Sequence, residues 1–394
     1  MSDEELYVER EQTLVKHFIL RKYLERFAHI VGTFADAITY VDCFSGPWNV
    51  RSEELKDSSF SIALEELRKA SRTLSARSRT LKIRCCFLEE NRSAYAKLKE
   101  FADQVSDAEI VTRNSKLEDA IQDILAFVRR GGPRSFPFIF IDPTGWTGFA
   151  MRIIAPLLRL KPGEVLINFM TGHIRRFIES PQDETRESFE DLYGSGDFKA
   201  KLQGLSKQDR EDASVKEYMA NVKKTGGFEY ACSAIVLQPE IDKTHFHLIY
   251  ATRDPKGVEV FKEAEKKAME VMEKARAKAQ QRKREKKTRT KELFPSDVLY
   301  GSTRYGTLRE SYLAQAKEQV LQLVKSNPRV LYDQAWILAL MGPLVWESDL
   351  KEWIAAWVKD GRLRIDGMQP KQRVPRRAEE NFLVSSTAAP SGTP

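Results

Sequence analysis

Four short apolar runs in this chain each hand a polar side chain to a following turn, and these are the places where it is equipped for chemistry. The first, Tyr40-Val41-Asp42-Cys43-Phe44-Ser45-Gly46-Pro47-Trp48, ends on an acid and turns through a glycine. Ligands of open α/β sheets collect outside the carboxyl ends of the strands, so a carboxylate at Asp42 would attract an ammonium or a ribose hydroxyl. The G-x-G-x-x-G fingerprint is absent, because Gly46 stands alone and Trp48 occupies the place of the second glycine, which disfavours NAD or FAD. The other reading of Asp42 is a solvated acid in a strand-ending turn.

The second run closes on Glu89-Glu90-Asn91. Glu89, nearer the strand end, suits both hydroxyls of a ribose; the same pair also suits the start of a helix, whose dipole it would complement. After the third run come Arg113, Asn114 and Ser115, where the short side chain of Asn114 would reach an adenine amino group. The fourth, Phe138-Ile139-Phe140-Ile141-Asp142-Pro143-Thr144-Gly145-Trp146, brings a carboxylate, a proline-stiffened turn and an indole to one place. Asp142 would accept a hydrogen bond from an exocyclic amine and Trp146 would stack its base. An Asp-Pro turn with a packing Trp is the alternative.

Other polar groups are less defined. Lys16, beside His17 on a helical stretch, would reach a cofactor carboxylate if that helix folds over the sheet edge. His173, Arg175 and Arg176 suit either a phosphate or a solvated helix start. His245 and His247 alternate along one strand face, a metal-ligand spacing, but no third ligand lies nearby and no metal is expected.

Positioning these groups falls to an alternation of short apolar runs with amphipathic stretches up to about Lys262, the pattern of βαβ units and a mostly parallel sheet. The expected strands are Ala37 to Cys43, Leu81 to Leu88, Ala108 to Thr112, Phe136 to Ile141, Glu164 to Met170, Cys232 to Leu237 and His245 to Ala251. A first helix, Glu11 to Ile30, carries Leu14, Phe18, Leu24 and Phe27 at helical spacings and is expected on the sheet edge. The polar stretch from about 180 to 227 reads as a helical insertion, a common way of shaping a substrate site.

Between Lys262 and Lys291 the chain has 13 basic and 5 acidic residues, an excess of +8 in a chain whose net charge is +7. With no Gly or Pro, this segment is expected to be a long basic helix, bridging two domains over 263–295. Three helices and two short strands follow: Leu308 to Lys325, Leu331 to Met341, Ser348 to Asp360, Leu363 to Ile365 and Asn381 to Val384. That order is the one expected of a winged helix-turn-helix domain over 296–384. Leu350, Trp353, Ile354, Trp357 and Val358 form the apolar stripe of its third helix and Gly361 its C-terminal cap. Residues 385–394 read as a disordered tail.

The whole chain, 394 residues at 42% hydrophobic and 31% charged, suits two domains and excludes a disordered or disulfide-stapled protein. No apolar run approaches the roughly 18–20 residues that span a bilayer, and the start is acidic where a signal peptide is basic. A cytoplasmic location without membrane contact is therefore expected. Cys43, Cys85, Cys86 and Cys232 lie in apolar runs with no C-x-x-C, which reads as buried free thiols.

A positive stripe coupled to a winged helix points to nucleic acid, DNA or RNA, bound through phosphates. The expected contacts are Arg282, Lys283, Arg284, Lys286 and Lys287 on the basic helix, with Arg175 and Arg176. Arg362, Arg364, Lys371, Arg373, Arg376 and Arg377 make the wing basic, whereas the third helix carries Glu347, Asp349, Glu352 and Asp360 and does not look like a major-groove reader.

Taken in order, KHFILRKYL from Lys16, YVDCFSGPW, FLEEN, FIDPTGW, VLINFM and HLIYATRDPKG resemble the bacterial three-Cys-motif partner (TcmP) family. The resemblance implies a Rossmann-like, methyltransferase-type α/β fold, mostly parallel and seven-stranded, plus the winged helix-turn-helix domain. It further implies S-adenosylmethionine as cofactor, no metal, and a protein bearing the three-Cys motif as partner. Asp42 and Gly46 would line the methionine side of that cofactor with Phe44 beside them, Glu89 its ribose and Asn114 its adenine. Asp142 and Pro143 fall where amino-directed methyltransferases keep a (D/N)-P-P-(Y/F) motif, and the order of motifs is similar to ribosomal-RNA adenine-N6 methyltransferases. Thr144 replaces the second Pro, Gly145 stands at the Tyr or Phe, and Trp146 follows one position later. The expected function is methylation of an amino group of nucleic acid, favoured by the acids at three strand ends; the alternative is a non-catalytic nucleic-acid-binding or partner subunit, favoured by Gly145 and Trp48, and an oxidoreductase has only the α/β layout behind it.

Overall fold

In a computed structural model, the structure describes residues 5–46, 50–172, 183–194, 201–293 and 303–386. The chain divides into two compact units, Met1–Tyr300 and Gly301–Pro394.

The first unit is built on seven strands: β1 Ala37–Asp42, β2 Lys82–Leu88, β3 Glu109–Arg113, β4 Ser135–Ile141, β5 Glu164–Phe169, β6 Tyr230–Leu237 and β7 Thr244–Thr252. Their order is β3-β2-β1-β4-β5-β7-β6. Five strands pair in parallel, and β7 runs against both β5 and β6. This is the expected Rossmann-like α/β sheet, seven-stranded and mostly parallel, a doubly wound order with one reversed strand inserted near its edge. Every residue of β1 and β5 is buried, as strands covered on both faces require.

The helices of this unit are α1 Glu11–Gly32, α2 Ser59–Ser75, α3 Arg92–Asp103, α4 Leu117–Arg130, α5 Met151–Leu158, α6 Asp183–Tyr193, α7 Lys207–Gly226 and α8 Pro255–Thr288. Helix α1 packs between α2 and α8. It does not lie at the sheet edge: its Tyr23 ring is 5.5 Å from that of Phe138 on the central strand β4, and its Phe27 meets Phe136 and Phe138. Aromatic rings on one stripe of α1 match a patch of aromatics on the sheet, and burying both favours the face over the edge. Tyr23 also donates to the buried Glu164 of β5, which accepts a second bond from Thr252 of β7 over 2.8 Å. Burial raises both the Glu164 carboxyl and the Tyr23 hydroxyl above their ordinary pKa.

The opposite face is covered by α4, α5, α6 and α7, whose Ile124, Ile154, Phe189 and Tyr218 share one core with β1, β4 and β5. Tyr218 stacks on Phe169 at 4.3 Å. Among the described residues, the stretch expected to be a helical insertion does form two helices, and both contribute side chains to this core.

Helix α8 starts at Asp254, whose side chain accepts from the Lys256 backbone N–H over 2.8 Å, with Pro255 in its first turn. The expected bridge over 263–295 differs from what forms: α8 begins earlier and is built into the first unit, with Val258, Phe261, Ala268 and Met272 buried. Even two of its cations are interior, Lys262 pairing with Glu265 at 2.5 Å and Arg276 with Asp242 at 2.6 Å.

The second unit contains α9 Thr303–Ser326, β8 Val330–Leu331, α10 Tyr332–Leu340, α11 Glu347–Lys359, β9 Leu363–Asp366 and β10 Phe382–Ser385. The strands form an antiparallel sheet in the order β8-β10-β9. Leu350, Trp353, Ile354 and Trp357 are buried as expected, but Val358 is 40% exposed because the apolar stripe is one residue narrower. Gly361 takes φ +67 and closes α11 with a bond from its N–H to the Val358 carbonyl. Ser385, expected in the tail, ends β10; the tail expectation for 387–394 lies outside the described residues.

All four cysteines are buried and free. Among the described residues no helix is long and apolar enough to cross a membrane.

Candidate functional site

A cleft of about 690 Å³ opens at the carboxyl ends of β1, β2, β4 and β5, in the first unit. Volumes of roughly 300–1,000 Å³ are typical of small-ligand sites. Lys16 of α1, Phe44 and Gly46 after β1, Glu89 after β2, and Asp142 and Pro143 after β4 all line it. Six residues predicted from the sequence therefore share one cavity.

Asp142 is the most connected of them. One carboxylate oxygen takes a hydrogen bond and ion pair from the Lys16 ammonium, and the other accepts from the Asn168 side-chain amide over 2.7 Å. Asn168 ends β5 in an apolar run and is 3% exposed; its Oδ1 has no hydrogen-bond partner among the described residues. That oxygen is a buried acceptor beside the cleft.

Asp42 does not line the cleft. It is fully buried beneath the first turn, one oxygen accepting from the Phe44 backbone N–H over 3.2 Å and the other from the Ser59 hydroxyl over 2.6 Å. Both donors line the cavity, so Asp42 shapes its floor from below. Burial pushes this carboxyl up to about 6, helped by the charge of Asp142, while the Ser59 hydrogen bond pulls the other way.

Glu89 is 4% exposed, and its Oε1 accepts from the Asn91 backbone N–H over 2.6 Å. Asn91 in turn caps α3 through the backbone N–H groups of Ser93 and Ala94. Asn114 is not a lining residue: its amide donates to the Glu89 and Glu90 carbonyls over 2.8 and 3.0 Å and fixes the turn that carries Glu89. Its neighbour Ser115 lines the cleft where Asn114 was expected.

Trp146 departs from expectation. Its ring stacks on Phe189 of α6 at 5.7 Å, packed against the core and outside the cleft lining. Trp146 stands three positions after Pro143, which carries the indole past the cavity to an apolar partner, while the partly exposed Phe44 ring lines the site.

Several lining residues were not anticipated. Arg10 pairs with the buried Asp57 at 2.9 Å, and Asp57 also accepts from the Arg51 and Ser52 backbone N–H groups, which folds residues 51–58 over the cavity. Ser58 then caps α2. Asp57-Ser58-Ser59 before an amphipathic stretch is a helix-start signal, and the polar Asn168 within VLINFM is a second visible cue. His245 lines the cleft, whereas His247 points to Ser233 and Glu211, at 3.4 and 3.6 Å. His17 accepts or donates to Tyr7 at 3.0 Å, and burial lowers its pKa.

The expected phosphate contacts are unevenly placed. Arg282 pairs with Glu11, Lys283 with Glu240 at 3.5 Å and Arg284 with Glu292 at 2.7 Å. Lys286 and Lys287 are exposed at the end of α8 and form no ion pair among the described residues. In the second unit Arg373 is exposed, Arg376 lies 3.6 Å from Glu379, and Arg377 sits over the Trp336 ring at 4.6 Å. Arg175, Arg176, His173, Pro47 and Trp48 lie outside the described residues. Among the described residues no group of three metal-ligating side chains occurs.

No family model and no curated protein matches this chain. Among solved structures, protein LPL1258 from Legionella pneumophila str. Philadelphia 1, described by the family model DUF519, is similar at a TM-score of 0.34 and 10% identity, over 60% of this chain and 84% of that one. A loganic acid methyltransferase with SAH is similar at a TM-score of 0.31 and 9% identity, over 67% of this chain and 84% of the other. Likenesses of this size leave the strand order and the cleft as the ground for any functional reading.

Proposed function

We propose that this chain is an S-adenosylmethionine-dependent methyltransferase acting on an amino group of nucleic acid. The observation that carries the reading is the gathering of Lys16, Glu89, Asp142 and Asn168 around one cleft at the carboxyl ends of a methyltransferase-type sheet. The donor set fits the cofactor: Glu89 offers a buried carboxylate for ribose hydroxyls and Lys16 a cation for an amino-acid carboxylate. Phe44 and Gly46 would flank the methionine side. When bound, the cofactor supplies a methyl group on a sulfonium.

The residues of the chain would hold the acceptor. Asp142 and the carbonyl that follows it accept hydrogen bonds from an exocyclic amine, directing its lone pair toward the methyl, and alignment lowers the barrier by making the encounter unimolecular. Asn168 holds the Asp142 carboxylate in place, and its own Oδ1 is a buried acceptor beside it. The exposed end of α8 with Lys286 and Lys287, and Arg373 on a proposed winged helix, would neutralise phosphates of DNA or RNA. A protein bearing the three-Cys motif is the proposed protein partner.

The second reading is a non-catalytic nucleic-acid-binding or partner subunit, favoured by the stacking of Trp146 on Phe189, which removes the expected ring from the acceptor site. Methyl-labelled S-adenosylmethionine with bulk RNA and DNA separates the two. The enzyme reading predicts label in base amino groups, abolished by Asp142→Ala while S-adenosylhomocysteine still binds at least as tightly as to wild type. Cofactor binding without transfer to either polymer contradicts it and favours the subunit.

A further inference from the structure

Both carboxylate oxygens of Asp142 are engaged, one by the Lys16 ammonium, which neutralises its charge, and the other by the Asn168 amide. The Lys16 and Asp142 side chains are 13% and 12% exposed, so their pairing is stronger than a surface ion pair and each needs the other's charge. Lys16 reaches across from α1 on a flexible four-carbon stem, whereas Asp142 is fixed at a strand end beside Pro143. The remaining cations of the cleft are placed differently. Arg10 is committed to Asp57 at 2.9 Å, and Lys116 is exposed in the turn between β3 and α4. Within the cleft, Lys16 is thus the cation that a change of partner would release from Asp142.

We propose that Lys16 is shared between two carboxylates: it neutralises Asp142 while the cleft lacks ligand and moves to the carboxylate of an amino-acid-bearing nucleoside when one binds. This positioning role rests on the cofactor reading above and goes beyond it, because it sets an order of binding. When Lys16 leaves, Asp142 regains its uncompensated charge, and with it full strength as an acceptor for the N–H of an acceptor amine. Cofactor and acceptor then bind with positive coupling, since each favours the arrangement the other needs. Asn168 keeps Asp142 oriented during the exchange.

The test is calorimetric titration with two probes, S-adenosylhomocysteine, which carries the carboxylate, and 5′-methylthioadenosine, which lacks the amino-acid part. Wild type, Asp142→Asn, Lys16→Met and the double variant are compared, with thermal melts to establish that each is folded and Lys16→Gln as the substitute if Lys16→Met is not. Removing the competing charge in Asp142→Asn is expected to tighten S-adenosylhomocysteine about tenfold and leave methylthioadenosine unchanged. Lys16→Met is expected to weaken S-adenosylhomocysteine at least tenfold, and in its background Asp142→Asn changes nothing. An Asp142→Asn variant that binds S-adenosylhomocysteine no tighter than wild type overturns the shared lysine while the cofactor reading stands. The same tightening for both probes also overturns it, since the effect then does not pass through a carboxylate. Failure of the folded wild type to bind either probe overturns the cofactor reading and the shared lysine with it.

Discussion

The Asn168 side-chain amide at the end of β5 donates to Asp142 Oδ1 at the end of β4 over 2.7 Å, tying two neighbouring strand ends across the floor of the cleft. The bond fixes the Asp142 carboxylate in one orientation and leaves Asn168 Oδ1 as the buried acceptor. Asn168→Ala should remove both. We expect a loss of about 1.5–3 kcal/mol of stability, the usual cost of a hydrogen bond to a charged group, and a larger fall in methyl transfer than in cofactor affinity. Chemical denaturation and steady-state kinetics check the two parts; an unchanged transfer rate would remove Asn168 from the acceptor site.

Asp42 makes the fold sensitive to pH. A carboxyl whose folded pKa is about 6, above its unfolded value of 3.8, holds its proton more tightly when folded. Its contribution is therefore most favourable below pH 4 and is lost as pH rises to about 6, a difference of roughly 3 kcal/mol at 1.36 kcal/mol per pKa unit. Asp42→Asn should melt above wild type at pH 7 and near it at pH 4. Equal melting differences at both pH values would show that Asp42 is not the group responsible.

Glycine at position 257 is required by space. A Cβ there would overlap the Tyr250 hydroxyl and stand 2.8 Å from Glu164 Oε1, both buried and hydrogen-bonded to Tyr23. Gly→Ala in a helix is ordinarily stabilising by up to about 1 kcal/mol, so the sign is informative. Gly257→Ala should destabilise the protein by about 1–3 kcal/mol, as overpacking does, measured by thermal or denaturant unfolding.

The elements were readable because each obeys a simple period. Strands β1, β4 and β5 are mainly apolar runs covered on both faces, and the stripe of α11 repeats every three to four residues. Phe44, Gly46, Glu89, Asp142 and Pro143 were readable as neighbours in one cleft because strand ends converge at one sheet edge, and Lys16 joins them from α1, as a helix folded over the sheet allows. The rest depends on distant partners. Nothing local says that Arg10 meets Asp57, 47 positions away, or that Trp146 finds Phe189 before it finds the cleft. Likewise the spacing of Tyr23 and Phe27 marks α1 as amphipathic without saying that Phe136 and Phe138 await it on the sheet face.

Charge at the end of α8 separates its paired cations from its open ones. Lys286→Glu with Lys287→Glu should weaken nucleic-acid binding and flatten its salt dependence, each phosphate contact contributing about 0.9 to the slope of log K against log salt on duplex DNA. The same double reversal at Arg282 and Lys283, already paired with Glu11 and Glu240, should act less on the slope. Fluorescence anisotropy over a salt series checks both, and a wild-type affinity that does not vary with salt would exclude phosphate binding by this helix.

The central claim is that the cleft at the carboxyl ends of β1, β2 and β4 binds S-adenosylmethionine, and direct calorimetric titration of the purified, cofactor-stripped protein tests it. Glu89→Gln is the control, because it retains an acceptor for the Asn91 N–H and removes the charge offered to the ribose. The account predicts micromolar binding with one site per chain, weakened tenfold or more by Glu89→Gln at an unchanged melting temperature. Absence of heat and of any ligand-induced melting shift in the folded protein would contradict it.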